Sequence, residues 1–278
     1  MRIRYSFSSR HTGNIAHITK QREKYPKLVK DIIKISDIVL EVLDARFIEE
    51  TRNAELESLI KKLGKELIYV LNKCDLVNTK EVERKIELHN LLPYVFVSCK
   101  SRVGAGKLRE RIKIEAKKLR LEDKRVQVGI IGYPNTGKSS LINLLVGRSS
   151  ARTGKEAGFT KGMQKIKLVK GILIIDTPGV IPETEYSGTE KKAMSKHAKI
   201  GVRTYDKVKD PEMIVDDLIK AYPKEFEKFY GIEFNEDSEV LIEEIGKRKN
   251  FVKKGNLVDE DRAARSILKD WQDGKIKI

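Results

Sequence analysis

The sequence predicts an α/β fold in which helices cover both faces of a parallel sheet, followed by a small all-α domain. Short runs rich in Val, Ile and Leu alternate with helix-like segments through the first 180 residues, a pattern typical of buried parallel strands. After about residue 200 only helix-like segments follow. We therefore divide the chain into a basic segment over 1–35, an α/β domain over 36–200 and a helical domain over 201–278.

The predicted elements follow from apolar runs and helix start and stop signals. The predicted strands are Ile38–Leu43, Leu67–Leu71, Tyr94–Val97, Val126–Ile131 and Ile172–Ile175. The predicted helices of the first 200 residues are Pro26–Ile35, Asn53–Leu63, Thr79–Asn90, Gly106–Leu121 and Ser140–Val146, with a polar loop that leads into a connecting helix over Pro182–Lys199. Four further helices begin at Pro211, Pro223, Ser238 and Asp259.

The charge of the chain is large and unevenly placed. Its formal net charge is +16, and residues 1–36 carry nine Lys/Arg against two Asp/Glu, whereas residues 201–278 carry sixteen against eighteen. Such an excess attracts polyanions and makes binding salt-dependent, although a merely solubilising surface is the alternative. No apolar run approaches the roughly 18 residues of a membrane span. We expect RNA as the partner, with no membrane and no DNA sequence specificity.

Cysteine usage and the N-terminus bear on localisation. Cys74 and Cys99 are the only cysteines, and both fall in predicted loops, so we expect no disulfide framework. The first residues, Met1–Tyr5, are not followed by the apolar segment of a signal peptide. We therefore expect a cytoplasmic protein.

A phosphate-binding loop is predicted where the fourth strand meets a helix. The segment fits the pattern in which backbone N–H groups surround a β-phosphate. It consists of Gly132, four further residues, and then Gly137, Lys138 and Ser139. The lysine would reach the β and γ oxygens, and the serine hydroxyl would bind Mg²⁺. A glycine-bearing strand–helix turn is the alternative. The predicted nucleotide-binding residues of this loop are Asn135, Thr136, Gly137, Lys138, Ser139 and Ser140.

Two further segments would complete a phosphate and magnesium site. Asp176-Thr177-Pro178-Gly179 closes the last predicted strand, so Asp176 would hold Mg²⁺ through water and the Gly179 N–H would meet the γ-phosphate. Thr160, in the polar loop between these motifs, is the candidate for a second Mg²⁺ hydroxyl. A plain turn is the alternative for the first segment.

A guanine-recognition loop is predicted at the end of the second strand. The Asp75 carboxylate can accept hydrogen bonds from guanine N1–H and from the exocyclic amine of guanine. Adenine cannot supply both of these donors, so the carboxylate discriminates against it. A surface turn is the alternative, because Asn and Asp favour turns. A Ser-x-Lys loop follows the third strand and would support the base. The predicted base-binding residues are Asn72, Lys73, Asp75, Ser98, Cys99 and Lys100. Together, the motifs predict a site for GTP and GDP.

The motif order resembles that of a known family. The order is that of the circularly permuted GTPases of the YlqF/YawG family, also called RbgA-like. Along the chain it runs Asn-Lys-x-Asp, Ser-x-Lys, phosphate loop, threonine loop and Asp-x-x-Gly. Asp44-Ala45-Arg46 with Arg52-Asn53 is similar to the family's segment ahead of the guanine motif, although Ile48 stands at its usual proline. The C-terminal resemblance rests on Lys254-Gly255, Arg262-Ala263-Ala264, Asp270-Trp271 and Gly274-Lys275.

The resemblance implies a P-loop GTPase fold with permuted motif order and a Mg²⁺-dependent assembly factor for the large ribosomal subunit. Val180 stands where Ras-like enzymes have a water-orienting glutamine, so we expect slow intrinsic hydrolysis. The candidate catalytic residues are Lys138, Asn135, Thr160 and Gly179. Asn135 resembles an asparagine that holds K⁺ beside the phosphates in related GTPases, and a contact with its own loop is the alternative. The family's upstream histidine would correspond to His11 or His17, and a surface histidine without a catalytic role is the alternative.

Two other functions fit the same residues. The chain could be a nucleotide-regulated RNA-binding module with negligible turnover, or the partner of an RNA-modifying enzyme. The permuted order further predicts that the strands carrying Asp44 and Asp176 are neighbours, and that the loop after Gly179 links the γ-phosphate to the helical domain.

Overall fold

The computed structural model describes residues 27–89, 91–119, 125–147, 164–176, 191–201 and 203–278. The strands are β1 (Ile38–Asp44), β2 (Glu66–Asn72), β3 (Tyr94–Phe96), β4 (Val126–Ile131), β5 (Gln164–Val169) and β6 (Ile172–Asp176). They form one sheet in the order β3-β2-β1-β4-β6-β5. All neighbouring pairs are parallel except β5 with β6, which is antiparallel.

Helices precede, connect and follow these strands. Residues 27–35 form α1, and the next helices are α2 (Ile48–Thr51), α3 (Ala54–Lys62), α4 (Thr79–His89), α5 (Ala105–Lys118) and α6 (Lys138–Val146). The later helices are α7 (Lys191–Lys199), α8 (Pro211–Ala221), α9 (Pro223–Tyr230), α10 (Ser238–Arg248) and α11 (Glu260–Gln272). Short 3₁₀ turns cover Cys74–Leu76 and Tyr205–Lys207.

Local sequence signals explain where several helices begin. The side chains of Asn53, Asp237 and Asp259 accept backbone N–H groups at the first turns of α3, α10 and α11. Proline starts α8 and α9, where its missing N–H is not needed. These caps fix the helix starts within one residue of the sequence-based expectations.

The antiparallel strand β5 was absent from the sequence-based expectation of a wholly parallel sheet. Its exposed Lys165 and Lys167 alternate with half-buried Ile166 and Leu168, the pattern of an edge strand with one face in solvent. The prediction relied on continuous apolar runs, which mark strands buried on both faces. The fold is therefore α/β with a mixed sheet.

The sheet is covered on both faces. One apolar cluster joins β1, β2 and β4 to α5 and α6 through residues such as Leu108, Ile112 and Leu141. On the other face, α1 and α3 pack against β1 and β4, and α4 packs against β2. Because the five parallel strands share one direction, their carboxyl ends lie at a single edge of the sheet.

The expectation that the strands carrying Asp44 and Asp176 are neighbours is wrong. β1 and β6 flank β4, one on each side. The phosphate-loop strand therefore lies between them. The segment thought to link the γ-phosphate to the helical domain lies outside the described residues.

Helices α8 to α11 pack around Trp271, Phe226 and Phe234, all of which are buried. The same apolar cluster includes Ala198 of α7 and Ile200, which follows α7. It extends into the sheet domain through Phe47 and Tyr133. The helical segment is thus packed onto the loops at the carboxyl edge of the sheet. Among the described residues, no helix is long and apolar enough to cross a membrane.

Candidate nucleotide site

The phosphate loop lies between β4 and α6, and its glycines are required by its shape. Gly132 and Gly137 have φ angles of 143° and 98°, which L side chains rarely adopt. A Cβ atom on Gly132 would lie 2.5 Å from the carbonyl oxygen of Val42, and one on Gly137 would lie 2.2 Å from Asn72 Nδ2. Both positions therefore need glycine for conformation and for space.

The start of α6 provides groups suited to an anion. The Lys138 ammonium is buried and donates hydrogen bonds to the carbonyl oxygen of Gly132 at 3.0 Å and to that of Tyr133. Ser139 and Ser140 are exposed in the first turn of α6. A helix N-terminus carries partial positive charge, so this turn and the lysine together favour phosphate.

Asn72, at the end of β2, joins three loops. Its Nδ2 atom donates to the carbonyl oxygen of Thr136 at 2.7 Å, and its Oδ1 atom accepts from the Cys99 N–H at 3.2 Å. The side chain is 2% exposed. Asn72 therefore ties the Asn-Lys-x-Asp loop to the phosphate loop and to the Ser-x-Lys loop. Its own contact with GTP stays a prediction.

Asp75 carries an unpaired acceptor. Within the part of the chain that the structure describes, its Oδ1 atom is buried and has no hydrogen-bond partner. The residue lies in the 3₁₀ turn Cys74–Leu76, which follows Lys73 in a left-handed conformation at φ 63°. An unpaired buried carboxylate oxygen costs about 1–3 kcal/mol or more, so a ligand that donates to it would be stabilised. A guanine edge supplies donors of the required kind in its N1–H and its exocyclic amine.

The Ser-x-Lys loop is closed by its own hydrogen bonds. Ser98 Oγ accepts from the Ser101 N–H at 2.9 Å, and Ser98 and Val103 exchange two backbone hydrogen bonds. Lys100 is exposed. This arrangement holds Cys99 beside Asn72 rather than leaving it on a mobile turn.

Both cysteines of the site are free thiols. Burial raises the pKa of the Cys99 thiol to about 11, and burial together with the charge of Asp75 raises the pKa of Cys74. A raised pKa keeps both thiols protonated at neutral pH, so neither is suited to nucleophilic chemistry.

A buried ion network lies beside the base loop. The Asp44 carboxylate binds Arg46 through both oxygens, at 3.0 Å and 2.8 Å, and Lys73 Nζ lies 2.7 Å from its Oδ2 atom. Burial would raise the pKa of Asp44, but the hydrogen bonds and charges of Arg46 and Lys73 outweigh it and hold that pKa below its usual value. In the sequence, this segment is marked only by the family resemblance, which indicates no role for it.

A second acidic group missed by sequence analysis is Glu41, in the middle of β1. It is fully buried, accepts the Asn53 N–H at 2.9 Å through Oε1, and interacts with Glu57. Arg52 binds both oxygens of Glu57, and Tyr69 donates to Glu57 at 3.1 Å. Burial, followed by the charge of Glu57, raises the pKa of Glu41 well above its usual value. A lone acidic residue inside an apolar run was the available signal.

The end of α7 and the residue Gly201 reach the phosphate loop. Asn135 has a left-handed φ of 62°, and its amide nitrogen donates to the carbonyl oxygen of Gly201. Lys196 Nζ lies 5.2 Å from the centroid of the Tyr133 ring. The two contacts join the phosphate loop to α7 and to the residues that follow it.

The remaining predicted site residues are not all within the described structure. Five of the residues singled out in the sequence lie outside the described residues, namely Thr160, Gly179, Val180, His11 and His17. Asp176 ends β6 at the same edge as the phosphate loop, although its side chain is not described. Among the described residues, no group of three or more His, Cys, Asp or Glu side chains is placed to hold a metal.

The fold and these loops together define a P-loop GTPase domain with a permuted motif order. The base loop ends β2 and the Ser-x-Lys loop follows β3, yet both precede the phosphate loop after β4. Residues 127–235 match the family model described as 50S ribosome-binding GTPase.

Solved structures and curated relatives agree with this class. GDP-bound YlqF from T. maritima is similar with a TM-score of 0.65 and 25% identity, over 90% of this chain and 95% of that one. The GNP-bound form of the same protein is similar with a TM-score of 0.65 and 24% identity, over 91% of this chain and 95% of that one. The chain shares the fold and the motif order of the circularly permuted GTPases of the YlqF type.

Curated relatives include an uncharacterised GTP-binding protein of Methanocaldococcus jannaschii, 42% identical over 90% of this chain and 65% of the relative. Nucleolar GTP-binding protein 2 of Saccharomyces cerevisiae is 35% identical over 88% of this chain and 50% of its own length. The chain thus spans about half to two thirds of these relatives.

Proposed function

We propose that the protein is a Mg²⁺-dependent GTP-binding and GTP-hydrolysing factor that uses its nucleotide state to control binding to large-subunit ribosomal RNA during assembly. The observation that carries the nucleotide part is the buried, unpaired Oδ1 atom of Asp75 in a loop tied to the phosphate loop by Asn72. A carboxylate held in this way selects a base that presents two N–H groups.

The phosphate side of the site supplies binding and charge stabilisation. Lys138 and the N-terminus of α6 would hold the phosphates, and the exposed Ser139 hydroxyl would bind Mg²⁺ together with Thr160 and Asp176. Mg²⁺ would neutralise charge on the β and γ oxygens. Asn135 would hold K⁺, and slow intrinsic turnover is expected from Val180.

The RNA part rests on charge and on the relatives. On α5, the side chains of Lys107, Lys113 and Lys117 are exposed on the solvent-facing face of the helix. Within the described ranges, none of their ammonium groups has an acidic partner, and Glu110 is the acidic residue of that face. Unpaired lysines of this kind suit the phosphates of RNA. One relative is named a nucleolar GTP-binding protein, and the matching family model is described as 50S ribosome-binding GTPase.

Co-sedimentation with purified large ribosomal subunits tests this proposal. We expect more bound protein with a non-hydrolysable GTP analogue than with GDP, and weaker binding at higher salt. A Lys107→Glu/Lys113→Glu/Lys117→Glu variant should lose most of the binding. The matched control reverses Lys220, Lys247 and Lys253, which each pair with an acidic side chain. Equal binding in both nucleotide states would contradict the switch.

A second function has support from one residue. Valine at position 180 cannot orient water by hydrogen bonding, which favours a nucleotide-regulated RNA-binding module with negligible turnover. Single-turnover GTP hydrolysis with and without large subunits separates the two, because the proposed GTPase should be accelerated by them. A role beside an RNA-modifying enzyme and a cytoplasmic location stay predictions.

A further inference from the structure

The Asp44 carboxylate is the centre of a buried network that includes the base loop. Its two oxygens accept from Arg46 Nε, Arg46 Nη2, the Arg46 N–H and Lys73 Nζ at distances from 2.7 to 3.1 Å. The side chains of Asp44 and Arg46 are each 1% exposed. The two-point contact between the guanidinium and the carboxylate fixes the geometry of the pair. Removing one member would leave a buried charge without its partner, which is strongly destabilising.

Arg46 also reaches the helical segment. Its Nη1 atom donates to the carbonyl oxygen of Trp271 at 3.2 Å, in the last turn of α11. A cation is favoured at a helix C-terminus, where carbonyl oxygens lack partners within the helix. The guanidinium lies 5.0 Å from the Phe47 ring centroid and 5.8 Å from that of Trp271. One arginine therefore contacts both Asp44 and the end of α11.

A second contact joins the same two regions. The Ile278 N–H donates to the carbonyl oxygen of Leu76 at 3.0 Å, in the 3₁₀ turn that carries Asp75. The close approach of Gly274 to Leu76 leaves no space for a side chain, since a Cβ atom would lie 2.6 Å from Leu76 Cδ1. The base loop is thus held on one side by Arg46 through Asp44, and on the other by the residues after α11.

We propose that Arg46 is a positioning residue that couples the docking of α11 to guanine-nucleotide affinity. It holds Lys73, through Asp44, in the conformation from which Asp75 meets the base. A partner that displaces the end of α11 then loosens the base loop and releases nucleotide, and bound nucleotide stabilises the docked helix by the same factor. This inference rests on the proposed function, since it takes residues 72–75 to bind guanine.

Nucleotide titrations of full-chain variants test the coupling. We expect Arg46→Met to weaken binding of a fluorescent GDP by about tenfold, within the range of typical coupling between sites. Arg46→Lys keeps a charge beside Asp44, so it should lose less GDP affinity than Arg46→Met. Some affinity should still be lost, because lysine lacks the planar, multidentate donors of arginine. The matched control is Arg265→Met, which removes an arginine with a similar contact set to Asp261 and to the carbonyls of Tyr205 and Val208. It should lower the unfolding temperature without changing GDP affinity.

The wild-type protein provides an independent readout, because Trp271 is the chain's single tryptophan. GDP should reduce acrylamide quenching of Trp271, as expected if nucleotide stabilises the docked helix, and Arg46→Lys should diminish this effect. Unchanged quenching on GDP binding, or GDP affinity in the Arg46 variants equal to wild type, would overturn the coupling. A wild-type chain that binds no guanine nucleotide would instead overturn the proposed function.

Discussion

Asn72 donates a hydrogen bond to the main-chain carbonyl of Thr136, which joins the base loop at the end of β2 to the phosphate loop after β4. The two residues are 64 positions apart in the sequence, and both are almost fully buried. The bond crosses β1, which lies between β2 and β4 in the sheet. It provides a direct physical connection between the part of the site that would read the base and the part that would hold the phosphates.

Gly137→Ala should break this connection. The new Cβ atom would lie 2.2 Å from Asn72 Nδ2, and the backbone at φ 98° disfavours alanine. We expect a loss of about 2–5 kcal/mol of stability, from about 1–2 kcal/mol of backbone strain plus the cost of unpaired buried groups. Chemical denaturation and GDP titration measure both effects, and GDP affinity should fall more than tenfold.

Gly64→Ala is the matched control for that variant. Gly64 also has a left-handed φ, of 61°, but nothing lies within 4 Å of the added Cβ position. It should show the backbone strain alone, about 1–2 kcal/mol, with unchanged GDP affinity. Equal effects of the two substitutions would show that contact with Asn72 is unimportant.

Glu41→Gln should stabilise the protein at alkaline pH. Burial and the charge of Glu57 raise the pKa of Glu41 in the folded state, so ionisation of Glu41 opposes folding. The wild type is therefore most stable below the unfolded-state pKa and loses stability as pH rises through the folded-state pKa. The variant should be more stable by about 1 kcal/mol at pH 8, with the difference shrinking as pH falls toward 5.

Thermal unfolding across this pH range checks that expectation. Glu66→Gln makes the same side-chain change at a half-buried glutamate on the neighbouring strand and is the matched control. A stability difference for Glu41→Gln that grows on acidification would contradict the assigned direction of the pKa change.

Potassium should accelerate GTP hydrolysis relative to sodium at equal ionic strength. A cation beside the phosphates would neutralise transition-state charge much as an arginine finger does. The Asn135 amide nitrogen donates to Gly201, so Oδ1 is the atom that would face the ion. Asn135→Gly accommodates the left-handed φ while removing the side chain, and it should abolish the difference between the salts. Equal turnover of the wild type in both salts would contradict this role.

Much of the fold could be predicted because its signals are local. The central strands are buried on both faces and read as continuous apolar runs, and Asn53 and Asp259 mark helix starts through their own side chains. β5 escaped prediction because an edge strand with alternating Lys and apolar residues carries a weaker signal. Residue spacing placed the loops at strand ends, and the parallel sheet brings them to one edge.

The support of the site was not predictable in the same way. The contact of Arg46 with Trp271 joins residues far apart in the chain, and no local pattern indicates that an arginine next to Asp44 caps a distant helix. The buried contacts of Asn72 likewise depend on how neighbouring strands are ordered. Residue types indicated the chemistry, whereas the tertiary structure determined which side chains hold the others in place.

The most direct test of the guanine-nucleotide site is the nucleotide preference of Asp75→Asn. Replacing the carboxylate with an amide supplies a donor where guanine also donates, so GTP affinity should fall by about a hundredfold or more. Xanthosine triphosphate, which presents an acceptor at that edge, should bind the variant better than GTP. The reversal would establish Asp75 as the base-reading residue, whereas unchanged GTP affinity would contradict the account.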